Sequence, residues 1–238
     1  MSDTCFACDN PAITREHVPP ACLFLESEDT DGNQNFRRNL ITVPACTDHN
    51  LVKSRDDMYF LWVLSTNLSA NSVAKQLVST KLRRANERRP ALGKAILSDT
   101  KDVTVIDSQS GAEHDAVEVP LDRDRFQRVL DLIGLGLYQH HFCKRWVGGV
   151  HVHTDFIGST DSSQMLNIDT DRLILFHAAQ KLFATEAKYG ENPDVFWYQV
   201  HEPRDKNLCL MRLVFYDGCT ATAFFDDDRS WSPSHRAS

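Results

Sequence analysis

Two short segments decide more about this chain than any others: Cys5-Phe-Ala-Cys8 and, after 37 intervening residues, Cys46-Thr-Asp-His49. A two-residue gap lets both ligands of a knuckle reach one tetrahedral Zn²⁺. Four such ligands would staple residues 5 to 49 into one small unit. The rival reading is a redox CxxC, which needs a preceding strand to present it at a helix start, and only four residues precede Cys5. A Cys₃His set leaves no coordination position open to water, so the expected zinc holds the fold and does no chemistry. The remaining cysteines, Cys22, Cys143, Cys209 and Cys219, lie among apolar neighbours and read as buried small hydrophobes. An odd total of seven, with no export signal in Met1 to Asp9, favours reduced thiols over disulfides and an expected cytoplasmic location.

Periodicity around these ligands gives an α+β chain. A strand over Ile13 to Val18, a polar loop with the turn signal Asp31-Gly32-Asn33, a strand over Leu40 to Val43 and a helix capped by Thr47 or Asp48 make a zinc-stapled ββα-metal module over 1–60. Residues 61–94 read as a helical connector, its second helix running from Val73 to Arg88 and stopping before Pro90. Residues 95–226 read as a C-terminal α+β domain with a mostly antiparallel sheet. Its expected strands are Val103 to Asp107, Ala116 to Val119, Gly149 to Phe156, Val195 to Val200, Leu208 to Phe215 and Thr220 to Phe225. Helices are expected over Arg123 to Cys143 and Asp169 to Ala184, turns at Ser108 to Gly111 and Tyr216-Asp217-Gly218, and a flexible tail over 227–238. No apolar run approaches the roughly 20 residues that span a bilayer, so no membrane is expected.

The formal charge of −7 argues against a nucleic-acid partner until it is divided. Residues 1 to 94 carry 12 Lys+Arg against 11 Asp+Glu, whereas residues 95 to 238 carry 14 against 22. Within the first part, Lys81 to Arg89 sets five positive charges against one negative, a density that suits a phosphate backbone or simply a solvated helix face.

Between the zinc half-sites stand Thr14-Arg15-Glu16-His17-Val18-Pro19-Pro20 and Arg38-Asn39-Leu40, with Asn50 directly after His49. In this the chain resembles the HNH (ββα-metal) endonucleases, which place an acid and a His together at the end of the first strand, an Asn opening the second, and a metal-binding His or Asn early in the helix. The resemblance covers about a quarter of the chain and implies phosphodiester hydrolysis. It implies His17 as general base, Asn39 as the residue orienting it, and Glu16 with Asn50 as oxygen ligands of one Mg²⁺ or similar divalent cation. Adjacent strand residues face opposite ways, so Glu16 and His17 can cooperate only where the strand ends, which Pro19-Pro20 suits.

Asn50 stands where the family name has its final His, and His49 where the fourth zinc Cys is usual. The alternative assignment, His49 on the catalytic ion, would leave the zinc with three cysteines. Lys53, Arg83, Arg84 and Arg88 are the expected phosphate contacts, and DNA is the expected substrate, with RNA the alternative. By analogy the role is that of a phage-defence (antiviral) or toxin-type effector, with residues 95–226 meeting a protein partner or a second copy. The competing reading is a non-catalytic, zinc-dependent module that binds nucleic acid or protein. His140-His141 and His151-Val-His153 read as core or surface residues, the aromatics Trp146, Trp197, Tyr198 and Phe215 as core residues rather than a stacking platform for bases, and Asp56 and Asp57 as surface acids.

Overall fold

The computed structural model describes residues 4–30, 34–52, 54–88, 90, 93–94, 98–106, 111–157, 177–202 and 208–226. The expected turns at Asp31-Gly32-Asn33 and Ser108 to Gly111 lie largely or wholly outside these residues. So do Lys53, the 169–176 part of an expected helix, and the 227–238 tail.

Strand β1 (Thr14–His17) pairs antiparallel with β2 (Thr42–Ala45), Glu16 opposite Val43 and His17 opposite Thr42. The second strand thus sits two residues later than the sequence reading placed it. Two features move it: Asn39 adopts a left-handed conformation (φ 51°) that interrupts extension, and the far end is prolonged by the bonds Phe6 N–H to Pro44 O and Ile13 N–H to Ala45 O. The peptide bond between Val18 and Pro19 is cis.

After Cys46 the chain opens its helix as a π-turn, Asp48–Val52, before α1 (Ser54–Ser65). Helix α2 (Ser72–Leu77) starts at Asn71, whose side chain accepts from the amides of Val73 and Ala74. A second π-turn, Val78–Leu82, joins it to α3 (Arg83–Arg88). Pro90, Gly93 and Lys94 are also helical, so helical structure returns where a stop was expected. Proline lacks the amide that a first helical turn does not need, which makes it an admissible starter.

Beyond the connector, β3 (Lys101–Ile106) and β4 (Glu113–Glu118) form a separate two-stranded ribbon. Helix α4 (Arg123–Phe142), capped by the Asp122 carboxylate on the Arg125 amide, lies against a five-stranded antiparallel sheet. That sheet has the order β5-β9-β8-β7-β6, with β5 Gly149–Thr154, β6 Tyr189–Asn192, β7 Phe196–His201, β8 Leu208–Phe215 and β9 Cys219–Asp226. Residues 177–183 are helical. Strand β6 is absent from the sequence reading, and the β8–β9 turn is as read, with Tyr216 and Asp217 both left-handed.

One face of the sheet, with Tyr198, Met211, Leu213, Phe215, Ala221, Ala223 and Phe225, is buried. The rings of Phe60 on α1 and Phe126 on α4 meet at 5.0 Å, and Phe60 meets Phe215 of β8 at 5.6 Å. Val18, at the end of β1, packs so tightly on Gly136 of α4 that an added Cβ there would stand 2.6 Å from a valine methyl. The hairpin, the connector and the sheet therefore share one core. Cys22 and Trp197 are half-buried rather than buried, and two further residues depart from their expected setting. Cys143 is exposed, because it follows α4 in a left-handed capping conformation rather than lying inside the helix. Asp56 has a side chain only 16% exposed and binds both Arg125 (2.8 Å) and Arg128 (2.9 Å), fastening α1 to α4.

Candidate metal centre and hydrolytic site

The four expected zinc ligands converge. Sγ of Cys5, Cys8 and Cys46 and Nδ1 of His49 all lie within 4.8 Å of one another. Cys8 and Cys46 sulfurs are 3.8 Å apart, and His49 Nδ1 stands 3.6, 3.5 and 3.3 Å from Cys5, Cys8 and Cys46. A tetrahedral ion with Zn–S bonds of about 2.3 Å separates its sulfurs by about 3.8 Å, so this donor set fits a closed zinc site. Local sequence explains the convergence. The knuckle closes through Cys5 N–H to Asn10 O, and Phe6 N–H to Pro44 O draws it beside Cys46.

Burial would raise both Cys8 and Cys46. In Cys8 burial prevails, helped by the neighbouring cysteines, and lifts the thiol to about 11. In Cys46 the bonds from the His49 backbone and ring, with those to the other two thiols, overcome burial and bring it to about 6. One ligand is thus held close to the thiolate that a metal requires.

The resemblance-based residues gather around the end of β1. Glu16 is buried, at 6% exposure, while its neighbour His17 is half-buried, the alternation a strand imposes. Asn50, within the π-turn, donates from Nδ2 to the Arg15 carbonyl at 3.2 Å, which fixes its carboxamide beside the Glu16 peptide. The wide turn serves two purposes, since His49 turns back to the cysteines while Asn50 meets β1. Asn39 is exposed and lines a crevice with Val18, Pro19, Leu40 and Ile41, while His17 pairs with Thr42 and is not part of that lining.

The opposite wall of that crevice is Gly190, Glu191 and Asn192 of β6, and Asn192 Nδ2 donates to the Arg38 carbonyl at 3.0 Å. Sequence reading had no access to these, because β6 lies 154 residues from Arg38 and carries no apolar alternation.

The expected phosphate contacts divide. Arg83 and Arg88 are exposed on α3, whereas Arg84 is committed to a two-pronged pair with buried Asp29, at 2.6 and 2.7 Å. Its hydrogen bonds hold the Asp29 carboxyl below the usual value of 3.8 against burial, which acts the other way. Lys81 also turns inward, its amine donating to Cys22 O at 3.1 Å, and burial lowers its pKa. Glu26, Glu28 and Asp29 cluster closely enough to suggest a cation site, but Arg37 and Lys81 pair with Glu26 and Arg84 with Asp29, so two of the three acids belong to an ion-pair network.

No protein-family model matches the chain, and neither a curated protein nor a solved structure shows significant similarity to it. No helix among the described residues is long and apolar enough to cross a membrane.

Proposed function

We propose that this chain is a metal-dependent endonuclease of the HNH type, acting on DNA, with RNA the alternative substrate. The observation that carries the reading is the Asn50–Arg15 bond, which brings a helix-borne carboxamide to the strand end bearing Glu16 and His17, beside a Cys₃His cluster able to brace both. In this reading Glu16 and Asn50 hold a divalent cation, which would supply a counter-charge for the phosphate as negative charge grows on it. His17 as neutral imidazole accepts the proton of the attacking water, and Asn39 orients the hairpin end that carries it. Exposed Arg83 and Arg88 offer the polyanion its first contacts. The role of a phage-defence or toxin-type effector, with residues 95–226 engaging a partner, stays an analogy.

The test is plasmid cleavage with Mg²⁺ or Mn²⁺ by the zinc-loaded protein. His17→Ala should lower the rate by about 10² to 10⁴-fold with unchanged zinc content and melting temperature. Undiminished cleavage by that variant ends the proposal.

One observation favours a second reading, a zinc-dependent binding module without catalysis: Glu16 is almost fully buried, as a structural acid would be. Calorimetry separates the two. The nuclease takes up a second, weaker divalent ion that Glu16→Gln abolishes, and the module takes up zinc alone.

A further inference from the structure

The five-stranded sheet has a second face, away from α4, and a polar row crosses it. Register places Gln199 of β7 opposite Arg212 of β8, Arg212 opposite Thr222 of β9, and Thr222 opposite His153 of β5. Arg212 is half-buried in the middle of that row. Its guanidinium carbon stands 5.7 Å from the centre of the Trp197 ring, and it makes no hydrogen bond or ion pair with any described residue. Lys188 Nζ approaches the same ring to 4.2 Å and likewise has no acidic partner among the described residues.

This arrangement is unusual for an arginine. Stacking on an indole occupies the face of the guanidinium but none of its five N–H groups, which point outward in the plane. A half-buried cation normally has those groups paired. Glu186 is bound to His201 at 2.7 Å, and the turn that carries it is pinned by Gln199, whose amide donates to the carbonyls of Phe183 (2.8 Å) and Glu186 (2.7 Å). The fold thus holds the Glu186 carboxylate on His201 and, among the described residues, leaves two cations around one aromatic ring without an acidic partner.

We propose that this face binds a small phosphate monoester, its oxygens taken by the Arg212 fork and the Lys188 ammonium, with the Thr222 hydroxyl beside them. A planar guanidinium offers paired donors that match two phosphate oxygens, and an ammonium beside it completes the charge. A small ligand suits the site better than a nucleic-acid backbone. Residues 95 to 238 carry 14 positive against 22 negative charges, a field that repels a polyanion far more than a single phosphate group. The row is also flanked by buried Leu210 and Val214, so the cations stand between packed neighbours rather than along an open groove. The site is separate from His17 and does not depend on the nuclease reading.

The experiment uses the full, zinc-loaded chain titrated with AMP, inorganic phosphate, adenosine and a 12-nucleotide single strand, followed by calorimetry and tryptophan fluorescence. AMP is expected to bind and to change the emission of Trp197, while adenosine does not bind. Arg212→Gln should weaken AMP at least tenfold with an unchanged unliganded melting temperature, and Arg212→Lys should retain part of the affinity. Trp197→Phe should remove the optical signal while calorimetric binding persists. Absence of AMP and phosphate binding at millimolar concentration overturns the proposal, as does AMP binding indifferent to Arg212→Gln. Binding of the single strand alone, lost in Arg212→Gln, overturns it in favour of a nucleic-acid contact.

Discussion

The knuckle with hairpin β1–β2 and the five-stranded sheet β5 to β9 reach order by different means. The hairpin has two four-residue strands, and an isolated ribbon of that size is marginal in water. Its continuity comes from four side chains converging on one point. The sheet has buried side chains along β7, β8 and β9 and needs no ligand to explain its order. Ligand chemistry can thus organise a segment too small for a core, but Val18 on Gly136 shows that the segment also leans on its neighbour.

Four substitutions test that contrast, the first having the largest expected effect. Cys46→Ser should abolish the stoichiometric zinc and cost the zinc-bound fold on the order of 5 kcal/mol or more. Zinc analysis by mass spectrometry with thermal melting checks it, and full zinc retention would break the contrast. Phe60→Ala removes a fully buried ring that touches both α4 and β8, and should cost about 3–5 kcal/mol. Because the core is shared, probes of the hairpin and the sheet should shift together, and separate transitions would show two independent units.

Asp29→Asn sharpens the comparison through pH. The native carboxyl titrates below its ordinary value because of Arg84, so its stabilisation is present above about pH 4 and is lost as the pH falls through the lowered value. Urea melts should show a deficit of about 1–2 kcal/mol at pH 7 that shrinks by pH 3. A deficit independent of pH would remove the ion pair as its cause. Tyr216→Phe deletes the buried bond from the tyrosine hydroxyl to Leu23 O, 2.7 Å long, and should cost about 1 kcal/mol in the same assay.

What could be read from the sequence was whatever depends on near neighbours. The ligand spacing of Cys5-x-x-Cys8 and Cys46-x-x-His49, the length of α4, and the Tyr216-Asp217 turn are local and were legible. Strand β6 was not, since Tyr189-Gly-Glu-Asn192 has no alternation and Gly190 takes φ 128°. Arg84 looked like a phosphate contact because its partner Asp29 is 55 residues away, beyond any local pattern. Asn50 was named from the resemblance, but nothing in the sequence told that the Arg15 carbonyl holds it. Arg212, without a hydrogen bond or ion pair among the described residues, was equally hidden, since the register of three strands decides its neighbours.

The Tyr216–Leu23 bond and the seat of Val18 on Gly136 also bear on synthesis. A ribosome releases the knuckle and His17 long before it makes α4 or the β8–β9 turn, at bacterial-type rates on the order of ten seconds earlier. During that interval the strand carrying His17 lacks the helix and the tyrosine that hold its final position. If the chain is a nuclease, its nascent form is therefore blunt, and the last third of the message sets when it becomes dangerous.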